Sequence, residues 1–207
     1  MKWIPLPPSV VCVAVSKKQS IDAIREAWSF GYRHFGESYV QEALPKIQAL
    51  KQGTWHFIGR IQSNKIKEIA QYFDVIHSLT SVDHARKLDL ACVALQKRMD
   101  VFIQVNLAAE PQKDGIPPEA LASMIASVQS LSHLNLLGLM LIPKQDEREN
   151  ERVADFKQMQ MLLTQHQRAL HPQFQHLSMG MSEDYNLAIQ QGATHVRIGT
   201  AIFGGRV

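Results

Sequence analysis

Lys17 is the residue of this sequence best placed to act as a nucleophile. It follows the β-branched run Val10-Val11-Cys12-Val13-Ala14-Val15, which reads as a strand, so it stands at a strand's C-terminal end. A lysine of ordinary pKa, near 10.4, is neutral in only about one molecule in 2,500 at pH 7. Desolvation or a nearby guanidinium lowers that pKa, and the freed amine can form an imine with an aldehyde. Lys18 alternates to the other side and reads as a solvated charge. Two further runs carry anion-binding chemistry, Ser178-Met179-Gly180-Met181-Ser182 and Val196-Arg197-Ile198-Gly199-Thr200. Glycine lets backbone N–H groups approach an anion, and a helix N-terminus adds a favourable dipole. Ser182 also reads as the N-cap of a helix through Ala188 and Ile189. Arg197 suits either a phosphate or the nitrogen of a heteroaromatic ring, which a facing guanidinium keeps unprotonated.

The elements that position these residues recur as a short apolar strand followed by a helical stretch. Strands are expected at 10–16, 33–36, 55–59, 75–79, 101–106, 136–142, 176–179 and 195–199. Helices are expected at 20–30, 38–50, through Ile66, Ile69 and Ala70, and at 82–98. Further helices are expected from Pro117-Pro118 to about 131, from about 146 to 170, and at 182–191, with Gly31 and Gly192 as stops. Eight strands separated by helices is the count of an α/β, single-domain (β/α)8 barrel of the TIM type spanning 1–207, with an open doubly wound sheet as the alternative. The similar shortness of several strands favours closure, as does the lack of a Gly-x-Gly-x-x-Gly run after the first strand. In such a barrel chemistry collects at the C-terminal strand ends. Here those ends carry Lys17, Gly36-Glu37, Gly59, Ser78, Asn106, Pro143 and the two runs above. Alternation sends Gln104, Asn106 and Arg197 inward, with Lys17 at the mouth and His77 as a further inward candidate. A polar interior needs partners, which a bound polar ligand or a self-satisfied layer supplies.

Composition excludes several classes. The chain has 207 residues, 45% of them hydrophobic, with 22 Lys and Arg against 19 Asp and Glu. The apolar content excludes disorder, and the absence of an 18-residue apolar run excludes a membrane span. No basic stripe marks a nucleic-acid surface. The prolines Pro5, Pro7 and Pro8 make the start a loop entering a strand rather than a signal peptide. Cys12 and Cys92 read as buried thiols, the nine histidines show no metal-ligand spacing, and a reducing cytoplasmic setting follows.

Several longer motifs stand in order along the chain: Val15-Ser16-Lys17, His34-Phe35-Gly36-Glu37-Ser38-Tyr39-Val40-Gln41-Glu42, Trp55-His56-Phe57-Ile58-Gly59, Gln62-Ser63-Asn64-Lys65, Gly138-Leu139-Met140, Ser178 to Ser182, and Val196 to Gly204. Together they closely resemble the pyridoxal phosphate homeostasis protein family from about Val10 to Arg206. The resemblance implies a barrel like the N-terminal domain of alanine racemase. It implies pyridoxal 5′-phosphate held as a Schiff base on Lys17, with Ser182, Arg197, Gly199 and Thr200 around ring and phosphate, and Asn106 and Met181 lining the pocket. It also implies a cofactor carrier in intracellular vitamin B6 homeostasis without established catalysis, cytoplasmic and monomeric or weakly dimeric, with pyridoxal-phosphate-dependent apoenzymes as candidate partners. Racemisation needs a second acid/base on the far face of the imine, which in alanine racemase comes from an extra domain and the partner subunit, neither expected here.

Three departures from the family pattern carry expectations. Ser38 replaces a usual Asn and is expected to loosen the rim, and Arg60 adds a charge near the mouth. The family's helix of about 20–25 residues before the first strand is not found here. An apolar groove is therefore expected beside the first and eighth strands, covered by the Pro-rich start, by a partner chain or by further residues. Lys65 and Lys113 remain open as a second cofactor site. The alternatives in function are an amino-acid racemase or lyase using the same cofactor, and an aldolase-like enzyme using Lys17 on a sugar phosphate.

Overall fold

Each apolar run forms a strand, and the eight strands pair in chain order. A computed structural model describes residues 1–107, 114–144, 148–167 and 173–204. The order is β1 Val11–Val15, α1 Ile21–Ser29, β2 His34–Glu37, α2 Val40–Ala49, β3 Thr54–Phe57, α3 Ile66–Tyr72, β4 Val75–Leu79, α4 Val82–Ala94, β5 Met99–Val105, α5 Leu121–Gln129, β6 Leu134–Leu141, α6 Glu149–Gln167, β7 His176–Ser178, α7 Tyr185–Gln190, β8 His195–Ile198 and α8 Thr200–Phe203. All neighbouring pairs are parallel, and β8 closes on β1 through the register Val13↔Arg197. The expected closed barrel is the observed one.

Local chemistry accounts for the boundaries. Ser20 and Ser81 cap α1 and α4, each side chain accepting from the backbone N–H three residues on. Gly31, at φ 104, ends the first helical layer in a left-handed turn that favours glycine. The helix expected at 82–98 stops at Ala94, where the chain reverses through Gln96 at φ 52. The one expected from Pro117-Pro118 divides into a 3-10 turn, Pro118–Ala120, and α5. The one expected from 182 starts three residues later, at Tyr185. The outer limits of the helix expected from about 146 to 170 lie outside the described residues.

The core has two compartments. Outward strand residues such as Ala14, Phe35, Ile76, Val101, Ile103, Leu139, Val196 and Ile198 are buried in one cluster with helix residues Ile24, Ile69, Leu88, Val128 and Phe156. Inside the barrel the apolar cluster is small, formed by Val75, Phe102 and Met140. Val13 faces the same interior, and the buried polar side chains there are His56, His77, Gln104, Ser178, His195 and Arg197. Residues 1–10 contain no helix or strand and lie beside α1 and α8. The Tyr32 hydroxyl ties them down, accepting from Ile4 N–H at 3.1 Å and donating to Lys2 C=O at 2.9 Å, while Lys2 N–H donates to Ile202 C=O. Ile4 is buried, and Leu6 and Val10 pack on the core. Of the coverings expected for the groove beside β1 and β8, the Pro-rich start is the one seen. Among the described residues no helix is long and apolar enough to cross a membrane.

Candidate functional site

Lys17 follows β1 at the barrel mouth and is half-buried. The backbone on both sides of it is held by a buried ionic cluster between the barrel and α2. Lys46 Nζ donates to Ser16 C=O at 2.8 Å, to Glu37 Oε1 at 2.9 Å and to Glu42 Oε1 at 2.6 Å. Ser16 Oγ donates to Glu37 Oε1 at 2.6 Å, and Lys18 N–H donates to Glu42. Lys18 itself is exposed and adopts φ 61, a left-handed conformation uncommon for a residue with a Cβ. Ser16 C=O and Lys18 N–H are thus both fixed, which sets the direction in which Lys17 leaves the strand. Glu37, named from sequence as a rim residue, points outward from the barrel and is fully buried. Burial pushes its carboxyl up; Lys46 and Ser16 pull it back, and its Oε2 has no partner among the described residues.

This cluster carries a stability prediction. Lys46→Met strands the Glu37 carboxylate in the core, and breaking a buried pair in this way costs about 3–5 kcal/mol. The double variant Lys46→Met/Glu37→Gln removes the stranded charge and is expected to recover most of that loss. Urea unfolding of the three proteins, compared by midpoint at constant slope, reads both effects.

Arg197 lies beside β1 on β8, opposite Val13. Its guanidinium is buried, with Nη1 donating to Ser178 Oγ at 2.7 Å and Nη2 to Leu141 C=O at 2.8 Å. Burial lowers its pKa to about 10, with Asp184 raising it, so it stays a cation at neutral pH. Among the described residues no carboxylate forms an ion pair with it. Its charge is balanced by the dipoles of a hydroxyl and a carbonyl, which leaves it available to an incoming acceptor.

The loops after β7 and β8 interlock. Gly180, at φ 94, accepts from Arg197 N–H at 2.9 Å, and a Cβ there would lie 2.6 Å from the Ala188 Cβ. Ser182 corrects the sequence reading: it does not cap α7, which begins at Tyr185 after Asp184. Its Oγ instead accepts from Gly199 N–H at 3.2 Å and Ala201 N–H at 3.3 Å, at the start of α8. A serine oxygen finds whichever bare N–H groups folding brings near, and these come from the neighbouring element rather than its own. Asp184 braces the same loop, accepting from Met181 N–H at 2.5 Å and facing Arg152 at 3.4 Å.

The structure therefore gathers Lys17, Ser182, Arg197 and Gly199 on adjoining strand ends; Val15 lies against Gly199, 3.5 Å from the position a Cβ would take. Thr200 and Met181 are exposed beside them. Asn106 follows β5, across the rim from β1, with its N–H donating to Ile116 C=O. Arg60 is exposed and pairs with Asp114 at 3.3 Å. The Ser38 C=O packs so closely on Gly59 that a Cβ there would meet it at 2.1 Å, so backbone contact holds this part of the rim. Lys65 pairs with Glu68 at 3.1 Å; Lys113 lies outside the described residues. Cys12 and Cys92 are free thiols, and burial pushes Cys12 up to about 12. Among the described residues no group of three or more His, Cys, Asp and Glu could hold a metal ion. Sequence reasoning missed Lys46, Asp184 and the partners of His77. The Glu42–Lys46 spacing of four was the one available signal for the first.

The alanine racemase N-terminal domain family matches residues 6–207. The chain is 41% identical over 203 residues to the pyridoxal phosphate homeostasis protein of Pasteurella multocida, covering 96% of this chain and 87% of that one. To its namesake in Pseudomonas aeruginosa it is 42% identical over 202 residues, with coverages of 97% and 86%. Among solved structures, PipY of Synechococcus elongatus with pyridoxal phosphate bound superposes with a TM-score of 0.91 at 38% identity, covering 96% of this chain and 94% of that one. Alanine racemase of Clostridium difficile reaches a TM-score of 0.79 at 13% identity over 95% of this chain and 55% of that one, a likeness of fold alone.

Proposed function

This chain belongs to the pyridoxal phosphate homeostasis protein family, within the alanine racemase N-terminal domain family, and on that premise we propose that it binds pyridoxal 5′-phosphate and carries it in vitamin B6 homeostasis. The observation that carries the reading is the meeting of two backbone N–H groups, from Gly199 and Ala201, on a single oxygen position beside a buried guanidinium that has no ion pair among the described residues and the strand that ends in Lys17. The same two N–H groups would donate to a phosphate oxygen once the Ser182 hydroxyl turns aside. Ser182 and Thr200 add hydroxyls at the same strand end. Arg197 would face a ring acceptor, and Asn106 and Met181 would complete the rim. When bound, the cofactor supplies the aldehyde with which the Lys17 amine condenses. The relatives are named as homeostasis proteins, and PipY has been solved with pyridoxal phosphate bound.

The finer reading is a single barrel domain over 1–207 that works in the cytoplasm without turnover. It acts as a monomer or weak dimer and hands cofactor to pyridoxal-phosphate-dependent apoenzymes. Uptake is tested by titrating the purified protein with pyridoxal 5′-phosphate, following its visible absorption, and measuring the mass of the lysine peptide after borohydride. A colourless protein with no adduct at micromolar cofactor defeats the reading. Steady turnover of an amino acid by the loaded protein replaces the carrier with a racemase or lyase.

A further inference from the structure

The barrel interior contains a continuous string of hydrogen bonds that ends on Arg197. His34 Nδ1 lies 3.0 Å from His56 Nε2, His56 Nδ1 lies 2.8 Å from His77 Nε2, and His77 Nδ1 lies 2.7 Å from Ser178 Oγ. The last link is Arg197 Nη1 to the same Ser178 Oγ. His56, His77, Ser178 and Arg197 are buried, while His34, at the start of β2, is only half-buried. The string thus runs from the site toward the N-terminal end of the barrel.

Its direction follows from donor and acceptor counting. A neutral imidazole has one N–H and one bare nitrogen, so each ring that uses both nitrogens donates at one end and accepts at the other. Arg197 only donates. Ser178 Oγ therefore accepts from Arg197, and its own proton needs an acceptor. Among the described residues its side-chain partners are Arg197 and His77, so the proton goes to His77 Nδ1. His77 must then carry its proton on Nε2 and donate to His56 Nδ1. His56 in turn donates from Nε2 to His34 Nδ1. The opposite polarity would leave the buried hydroxyl proton without an acceptor, a loss of about 1–3 kcal/mol. Packing holds the rings in line: His77 stacks on Phe102 with centroids 4.6 Å apart, and its ring lies 5.0 Å from that of His56.

We propose that His77, His56 and His34, acting through Ser178, are positioning residues that lock the Arg197 guanidinium toward the bound cofactor's ring in a single orientation set by their common Nε2–H tautomer. The Arg197 part rests on the reading of the site as a pyridoxal phosphate site; the tautomer part stands on the geometry alone. The string acts as a neutral acceptor. It fixes one Nη1 proton without adding a carboxylate that would neutralise the cation.

Histidine side-chain 15N spectra of the protein prepared without cofactor test the first part. The expected result is one Nε2–H tautomer at both His56 and His77. In Ser178→Ala both rings are expected to become mixtures, although His56 is two links away, and Ser178→Thr, which keeps the hydroxyl, restores the single form. An Nδ1–H tautomer at either ring in the unsubstituted protein, or an unmoved His56 in Ser178→Ala, overturns the string. Cofactor retention and its visible band test the second part. His77→Leu is expected to weaken retention about tenfold, the order of one hydrogen bond to a charged group, and to shift the band. His77→Gln keeps a donor and an acceptor and rescues both. Unchanged retention and band in His77→Leu, or no rescue by His77→Gln, overturns the positioning role. If the unsubstituted protein takes up no cofactor, the site reading fails and takes the positioning role with it, while the tautomers still decide the string.

Discussion

Lys17→Ala is expected to abolish borohydride-stable retention of pyridoxal 5′-phosphate, while Lys18→Ala retains it in full. The two lysines are chain neighbours with opposite surroundings. Lys17 leaves β1 on the side of Val13 and Val15 and is half-buried at the mouth, whereas Lys18 is exposed and turned away through its left-handed conformation. The alanine variant keeps the Gly199 and Ala201 amides, Ser182 and Arg197, so the proposed phosphate and ring contacts are expected to persist. What it loses is the covalent link, and with it roughly a hundredfold or more in affinity, about 2.7 kcal/mol. Dialysis against buffer followed by mass measurement after borohydride reads the difference: no adduct for Lys17→Ala, one for Lys18→Ala. An adduct surviving in Lys17→Ala would place the attachment on another lysine and undo the site. The backbone around Lys17 is untouched in either variant, because Ser16 and Lys18 are held by Glu37, Lys46 and Glu42 through groups that neither substitution removes.

That pair of lysines was distinguishable in the sequence because alternation along a strand is a local property. The same parity correctly separated Phe102 and Gln104 from Val101 and Ile103, and Arg197 from Val196 and Ile198, since one face of each strand must meet the helices. Parity says which way a side chain points, however, and not which side chain it meets. His56 and His77 are 21 residues apart and Ser178 lies 101 residues from His77; only closure of the sheet brings them into line. Lys46 stands four residues after Glu42, a spacing that points only to that one partner, and its second carboxylate comes from β2, a contact that depends on how α2 docks. Ser182 shows the same limit from the other side. A hydroxyl before a helical run suggests a cap, but the nearest bare N–H groups after folding belong to α8, a four-residue turn too short to leave a periodic pattern.

The buried histidines make acid the condition to which this barrel should be most sensitive. Burial holds His195 down to about 3, with His176, His34 and Arg197 adding repulsion, and burial pushes His56 and His77 well below the ordinary value of 6.5. All three stay neutral in the folded protein, while the unfolded chain takes a proton on each below pH 6.5. The unfolded state then binds more protons, so their contribution to stability is complete above pH 6.5 and is lost as pH falls below it, for His195 down to about 3. Each group gives a slope of about 1.4 kcal/mol per pH unit, and the three together about 4 kcal/mol per unit while they remain neutral. Glu37 acts in the opposite direction. Its raised pKa means the folded state gains a proton before the unfolded one, so acid favours the fold there, but one carboxyl opposes these three imidazoles and those of His34 and His176, which burial also lowers. Against a total stability of about 5–15 kcal/mol, a fall from pH 7 to 5 is expected to bring the protein to the edge of unfolding. Urea midpoints at pH 7.5, 6 and 5 measure the loss, and His195→Gln, which removes one titrating group, should reduce the slope by about 1.4 kcal/mol per unit. A midpoint that holds steady across that range would mean the imidazoles accept protons in place, and the neutral interior on which the orientation of Arg197 depends would not exist.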